Sequence, residues 1–286
     1  MVVKKILNLL ILSFFFLVSA YSQDNKSKLE ATYIANEGFL IESGNGKVLI
    51  DALFGGIKGD WCEQPSDSVT DLMLNGTSPF DNIDAVLVTH KHSDHFNESL
   101  TINFLKNNPG TILICPEQVN EKLKNNIDYS KLYDRIKFLT PDNIYDTILF
   151  FEDIGIRVMR FKHGSYIETD SSTGITYDLH KDTENFGYLI GLNGYNVFHG
   201  GDCNYSDKER FMEYKLSEQE IDIAFFDRMF LRKEGMEIIN SLNTKKLIFM
   251  HIEPKKREYY KSVIKDIPEI LIFDRPLEKY SYEKQE

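Results

Sequence analysis

Apolar and polar positions along this chain fall into short runs punctuated by glycine, asparagine and proline. Residues 32–34, 38–42 and 47–51 read as strands, the last two separated by Ser43-Gly44-Asn45-Gly46, and predict an antiparallel meander. Residues 54–81 carry Gly55, Gly56, Gly59, Pro65, Gly76 and Pro79 with little periodicity, which predicts a long loop with one short helix at 69–74. From Ile83 the pattern turns to strand 85–89, helix 99–107, strand 111–115 and helix 116–125, with Pro116 at a helix start, where its missing N–H costs nothing. Strands return at 136–139, 147–151 and 156–161. Two more, 186–192 and 195–199, flank Asn193-Gly194, a two-residue hairpin turn that needs positive φ at both positions. The last third alternates helix 207–214, strand 221–226, helix 235–240, strand 246–250, helix 254–264 and strand 269–273. Two strand-rich halves, each with helices outside, predict an α/β chain: a four-layer α/β/β/α sandwich of two mixed sheets, built as one domain over residues 23–286. No internal repeat or low-complexity stretch is visible.

The N-terminus changes the picture of where the chain works. Lys4 and Lys5 precede an apolar run at 6–18, too short to span a bilayer comfortably but the length of a signal-peptide core. Ala20 and Ser22 supply small residues before a cut between Ser22 and Gln23. Residues 1–22 are therefore expected to be a signal peptide, the protein to be periplasmic or secreted, and no stable membrane anchor to remain after cleavage. The net charge of −11 repels phosphate backbones and anionic membranes, which argues against nucleic acid and for a small-molecule substrate. Cys62, Cys115 and Cys203 are an odd set without metal-type spacing, so no disulfide framework holds the fold. The spacing leaves a Cys62–Cys115 pair open.

The candidate chemistry lies in Thr89-His90-Lys91-His92-Ser93-Asp94-His95-Phe96, directly after the apolar run at 85–88. His90 and His92 leave a strand end two residues apart and can converge on one ion, while Asp94 and His95 in the same turn can reach a second. Neutral imidazole with carboxylate suits zinc, iron or manganese. One turn cannot complete two coordination shells. His163, Asp202 and His251 each follow an apolar run and are placed to supply the remainder.

Thr-His-x-His-x-Asp-His, a later lone His, Gly-Asp after a hairpin and a final strand-end His together resemble the metallo-β-lactamase superfamily over nearly all of the chain after residue 22. The stretches Asn185-Phe186-Gly187-Tyr188-Leu189-Ile190, Phe198-His199-Gly200-Gly201-Asp202 and Met250-His251-Ile252-Glu253-Pro254 resemble the branch containing the ascorbate-6-phosphate lactonases and N-acylphosphatidylethanolamine phospholipase D. The resemblance implies two divalent ions, zinc first, with manganese and iron as alternatives. It places His90, His92 and His163 on one ion, Asp94, His95 and His251 on the other, and Asp202 between them. It also implies a metal-bound hydroxide as nucleophile, with Asp94 in a second, catalytic role as its orienter or proton acceptor.

Asp51, ending the strand at 47–51, resembles the superfamily's early strand-end Asp and is expected either to support a ligand or simply to form a turn. His199 is expected to be a supporting hydrogen-bond donor, a substrate contact, or a core histidine satisfied by backbone. His180, in the polar stretch 165–184, is expected to be solvated. Cys203 adjoins Asp202 on an extended segment and should point away from the site. Arg228 reads as an anion anchor or an ordinary surface arginine. The function expected is hydrolysis of a small ester, lactone or phosphodiester. The competing class is an iron-dependent oxidoreductase, like the sulfur dioxygenases or flavodiiron proteins; the flavodiiron branch has Glu where His92 stands, which argues against it. A metal-binding module without turnover is disfavoured by the complete ligand set.

Overall fold

In the computed structural model, which describes residues 27–140, 147–151 and 153–284, alternation along each strand sends neighbouring side chains to opposite faces of a sheet. In β2 (Gly38–Ser43), Phe39 and Ile41 enter one apolar layer and Leu40 another; in β4 (Ala85–Leu87), Ala85 and Leu87 part from Val86 in the same way. The layer that takes Phe39, Ile41, Ala85 and Leu87 also takes Ile156, Val158, Tyr188, Ile190 and Phe225 from the second half of the chain, so it lies between two sheets. The layer of Leu40 and Val86 is closed by the helix residues Val69, Met73, Ile102, Leu105 and Val119. A third layer sets Leu189, Phe198, Ala224 and Phe226 against Phe211, Ile238, Ile239 and Ile264. The four-layer α/β/β/α sandwich is therefore as the hydrophobic pattern predicts.

The first seven-stranded sheet runs β16 (Lys279–Tyr282), β1 (Leu29–Ala35), β2, β3 (Gly46–Ile50), β4, β5 (Ile112–Pro116), β6 (Ile136–Leu139). It is antiparallel from β16 to β3 and parallel from β3 to β6. The second seven-stranded sheet runs β15 (Ile270–Leu271), β14 (Thr244–Met250), β13 (Ile221–Asp227), β12 (Tyr195–His199), β11 (Glu184–Leu192), β8 (Ile154–Lys162), β7 (Thr147–Phe151). Here β7 to β12 are antiparallel and β12 to β15 parallel. Each half thus passes from an antiparallel ribbon to parallel strands, a likeness with no counterpart in the sequence.

Several elements depart from expectation. Residues 165–184, read as a loop, contain the hairpin β9 (Ile167–Thr169) and β10 (Thr176–Asp178). Strand β16 was not expected; its Tyr280 and Tyr282 pack against the inter-sheet layer and Lys279 pairs with Glu30 of β1. The helix expected at 254–264 opens as a 3₁₀ turn, Pro254–Lys256, before the α-helix Arg257–Ile264. Asn193 and Gly194 do take positive φ, 48° and 81°. All three cysteines are free and buried, so Cys62 and Cys115 do not pair. The expected leader, residues 1–22, lies outside the described residues. No helix among those described is long and apolar enough to cross a membrane.

Candidate metal centre

Strand ends at one edge of both sheets deliver the candidate ligands. Beyond β4 come Thr89, His90, His92, Asp94 and His95; beyond β8, His163; beyond β12, Gly200-Gly201-Asp202; beyond β14, His251. Asp51 follows β3, and the turn Asn36-Glu37 joins β1 to β2. Tight departures from the strands are needed to aim these groups inward. Asn36, Asp51 and His251 all adopt left-handed backbone, at φ of 49°, 43° and 56°, a conformation that costs a non-glycine residue roughly 1–3 kcal/mol and concentrates at functional sites. Gly201 has φ of 57°, and a Cβ there would stand 2.7 Å from both Asn185 Oδ1 and Thr89 Cβ. Only glycine turns the chain at that point without displacing its neighbours.

Among the described residues the ligand-type atoms gather into three groups, two of which share Asp202, while the third is Glu37, Asp51 and His199. His90, His92, His163 and Asp202 form the first; His95, His251, Asp202 and Glu37 form the second. Asp202 turns one oxygen to each: Oδ2 lies 3.3 Å from His163 Nε2 and 3.8 Å from His90 Nε2, and Oδ1 lies 3.7 Å from His95 Nε2. Asp94 Oδ2 adjoins the second group, 3.1 Å from His251 Nε2 and 3.5 Å from His95 Nε2. Asn36 Nδ2 donates to the same oxygen at 3.3 Å.

Hydrogen bonds on the far ring nitrogen fix which nitrogen of each imidazole faces the cavity. His95 Nδ1 meets Asp51 Oδ2 at 2.9 Å, His163 Nδ1 meets the Gly164 carbonyl at 2.7 Å, and His251 Nδ1 meets Asp227 Oδ2 at 2.9 Å. His90 Nδ1 lies 3.0 Å from Thr89 Oγ1, whose own hydroxyl donates to Asp51 at 2.5 Å, leaving its lone pair for the ring. With Nδ1 protonated, each Nε2 turns a lone pair inward, the tautomer a metal requires. Buried Nε2 of His90, His95 and His163, Asp202 Oδ1 and both Glu37 oxygens have no hydrogen-bond partner. Buried polar atoms left in that state cost free energy. A set of convergent imidazole nitrogens and carboxylates, in which acceptors outnumber the one fixed donor, Asn36 Nδ2, fits divalent cations.

Electrostatics divide the two groups. Burial and neighbouring histidines lower two imidazoles of the first, His90 well below its ordinary range and His92 to about 3. They stay neutral and ready to bind at neutral pH. In the second group burial would lower His95 and His251, but carboxylates outweigh it: Asp94, Asp202 and Glu37 raise His95, and Asp202, Asp227 and Asp94 raise His251. Burial would raise Asp94 and Asp202, yet the facing histidines hold both carboxyls well below the usual range. Glu37 is the exception: burial and the charge of Asp202 raise it well above.

All seven expected ligands, His90, His92, Asp94, His95, His163, Asp202 and His251, therefore meet at one place. Asp51 is a support, holding His95, the Thr89 hydroxyl and the Thr89 N–H (2.8 Å) together. His199 is wholly buried and satisfied by backbone: its Nε2 faces the Glu37 carbonyl at 3.1 Å and its Nδ1 accepts from the Gly201 N–H at 3.2 Å. It steadies the two loops that carry Glu37 and Asp202. His180 is not a solvated loop histidine; its ring packs on His92 and His163, with centroids 4.4 and 4.6 Å away, and on Tyr166. Arg228 is engaged by Asp227, by the His251 carbonyl and by the His251 ring, whose Nδ1 lies 3.0 Å from the guanidinium. Cys203 points into the outer apolar layer of the second sheet. Reading the sequence missed Glu37 and the role of Asp227; for Asp227 the available signal was its position at the end of a strand parallel to the one that carries His251.

The model of the "Beta-lactamase superfamily domain" family matches residues 47–254. A metal-dependent hydrolase from Polaromonas sp., of the UPF0173 group, is 24% identical over 202 residues, covering 68% of this chain and 66% of its own length. The chain thus spans just under two thirds of that relative. Among solved structures, a possible metal-dependent hydrolase from Veillonella parvula superposes with a TM-score of 0.61 at 16% identity, covering 89% of this chain and 99% of the other. Igni18, a metallo hydrolase from Ignicoccus hospitalis, gives 0.56 at 16% identity, with 91% and 100% covered. Both likenesses are of fold.

Proposed function

Since the chain belongs to the beta-lactamase superfamily, we propose that it is a dinuclear metal-dependent hydrolase acting on a small ester, lactone or phosphodiester. The observation that carries this reading is Asp202, which presents one oxygen to His90 and His163 and the other to His95. His90, His92 and His163 would hold one divalent ion and His95, His251 and Asp94 the other, with Asp202 on both. When bound, such ions lower the pKa of water and polarise the oxygen of the bond to be cleaved.

The protein's own residues do the rest. Asp51 and Asp227 hold the His95 and His251 rings at fixed angles through Nδ1. Asp94 is held ionised by His95 and His251, so it accepts a hydrogen bond from a nucleophilic water and orients it. His92, His180 and His251 are half-buried, in contrast to wholly buried His90 and His95, so the centre is reached past these three rings. Tyr166 stacks on His180 there and lies where a substrate's non-reacting portion would pass. His92 stands where the resemblance would put Glu in a flavodiiron protein, which favours hydrolysis over that branch.

The test is metal analysis of protein purified without added metal, beside a panel of phosphodiester, lactone and β-lactam substrates. The reading expects about two transition-metal ions per chain and chelator-sensitive hydrolysis of one class. Protein that turns over a substrate with no metal, or with one ion and no need of His95 and His251, contradicts it. We also propose export, on the apolar run at 6–18 followed by Ala20 and Ser22. N-terminal sequencing of the protein from its host should begin at Gln23, and a chain beginning at Met1 would refute it.

A further inference from the structure

Glu37 is wholly buried, yet neither carboxylate oxygen has a hydrogen-bond partner. Its position accounts for this. The turn Asn36-Glu37 between β1 and β2 carries the side chain against the second group, where a carboxylate oxygen lies within 4.8 Å of ligand atoms of His95, Asp202 and His251, at the flank of the His95 ring, whose Nδ1 is 3.8 Å away. The turn is closely packed: a Cβ at the next residue, Gly38, would stand 2.9 Å from the Asp51 carbonyl oxygen. Its backbone is pinned as well, the carbonyl of Glu37 facing His199 Nε2 at 3.1 Å. Glu37, Asp94 and Asp202 are three carboxylates facing His95 and His251, with Asp51 and Asp227 behind those rings. Acceptors so outnumber donors that the arrangement calls for a cation of more than one charge.

We infer that Glu37 is a ligand of the second metal ion, which makes the two sites unlike: an imidazole-rich site at His90, His92 and His163, and a carboxylate-rich site at His95, His251, Asp94, Asp202 and Glu37. The inference rests on the dinuclear reading above. Three imidazoles with one shared carboxylate favour zinc, whereas added carboxylates shift a site toward harder ions such as manganese. A glutamate placed in an apparent turn thus sets which ion completes the centre.

Calorimetric titration of the metal-free full-length protein with zinc, and separately with manganese followed by electron paramagnetic resonance, tests this in the wild type, Glu37→Gln and Glu37→Asp. Loss of a group that only supports a ligand weakens metal binding by about 10–100-fold. Loss of a direct ligand should exceed that. The expected result is two equivalents in the wild type, and in Glu37→Gln a second equivalent weakened more than about 100-fold while the first changes by no more than a few-fold; unchanged first-site binding also certifies the fold. Glu37→Asp should recover part of the loss, and manganese should suffer more than zinc. Two equivalents of unaltered affinity in Glu37→Gln would overturn the inference and leave Glu37 sharing a proton with Asp202. Fewer than two in the wild type would overturn the dinuclear reading itself.

Discussion

Asp202 joins the two histidine groups because its oxygens point different ways, and few other residues could be so costly to lose. Asp202→Ala should abolish hydrolysis and leave less than half the bound metal. His199→Ala, which removes only backbone-facing hydrogen bonds, should lower metal affinity by about 10–100-fold at most. Metal content and turnover of the two variants side by side give the answer, and equal behaviour would remove Asp202 from the bridge. Asp51→Asn keeps its shape but no longer fixes the His95 ring directly, and should weaken the second metal by the same ~10–100-fold and the first less, since it reaches His90 only through the Thr89 hydroxyl; a loss confined to the first equivalent would contradict the pairing of His95 Nδ1 with Asp51. Single residues were also where the sequence was least legible. His163, Asp202 and His251 could be found because each ends an apolar run. Glu37 could not, since Asn-Glu-Gly between two strands reads as an ordinary solvated turn, and only the packing of β1 and β2 under His95 buries it. His180 was hidden likewise, its contact with His92 and His163 depending on how the segment after β8 folds back.

Strands were legible almost throughout, because burial on both faces of each sheet leaves continuous apolar runs in their sequences. The strand at β16 escaped notice because its alternation of Lys279, Tyr280, Ser281 and Tyr282 is short and lies at a charged edge. The small hairpin β9–β10 escaped for a different reason: Tyr166, Ile167, Ile175, Tyr177 and Leu179 are exposed, so no core pattern marks it. Among connections, the turn after β12 is one of the exacting ones. Gly201→Ala would press a methyl group on Asn185 and Thr89, the first of which receives the Asp202 N–H at 3.1 Å, in a backbone region that disfavours alanine. It should destabilise the protein by about 1–3 kcal/mol and lower metal content together. Denaturant unfolding and metal analysis check both, and a variant as stable as the wild type with full metal would show that the turn has slack the contacts do not reveal.

The molecule as a whole uses one sheet edge to collect charge that its core could not tolerate alone. Its response to pH follows. His95 and His251, raised by their carboxylates, stabilise the metal-free fold fully below about pH 6.5 and progressively less as pH rises through their folded values. Glu37, raised by burial and Asp202, acts in the same direction. His90, His92 and His199, lowered chiefly by burial, oppose this only below about pH 6.5, where protonating them is unfavourable. Metal-free protein should therefore lose melting temperature as pH rises above about 6.5, and metal-loaded protein should not, because the cations replace the protons that leave. Differential scanning calorimetry of both forms decides; a metal-free form that gains stability over that range would mean the histidine–carboxylate pairs are not formed. The dinuclear centre itself is tested most directly by locating the metal in crystals of the loaded protein through its anomalous scattering. Two peaks are predicted, one within bonding distance of His90, His92 and His163, the other of His95 and His251, with Asp202 touching both. A single peak, or two peaks with Asp202 bound to only one, would contradict the account.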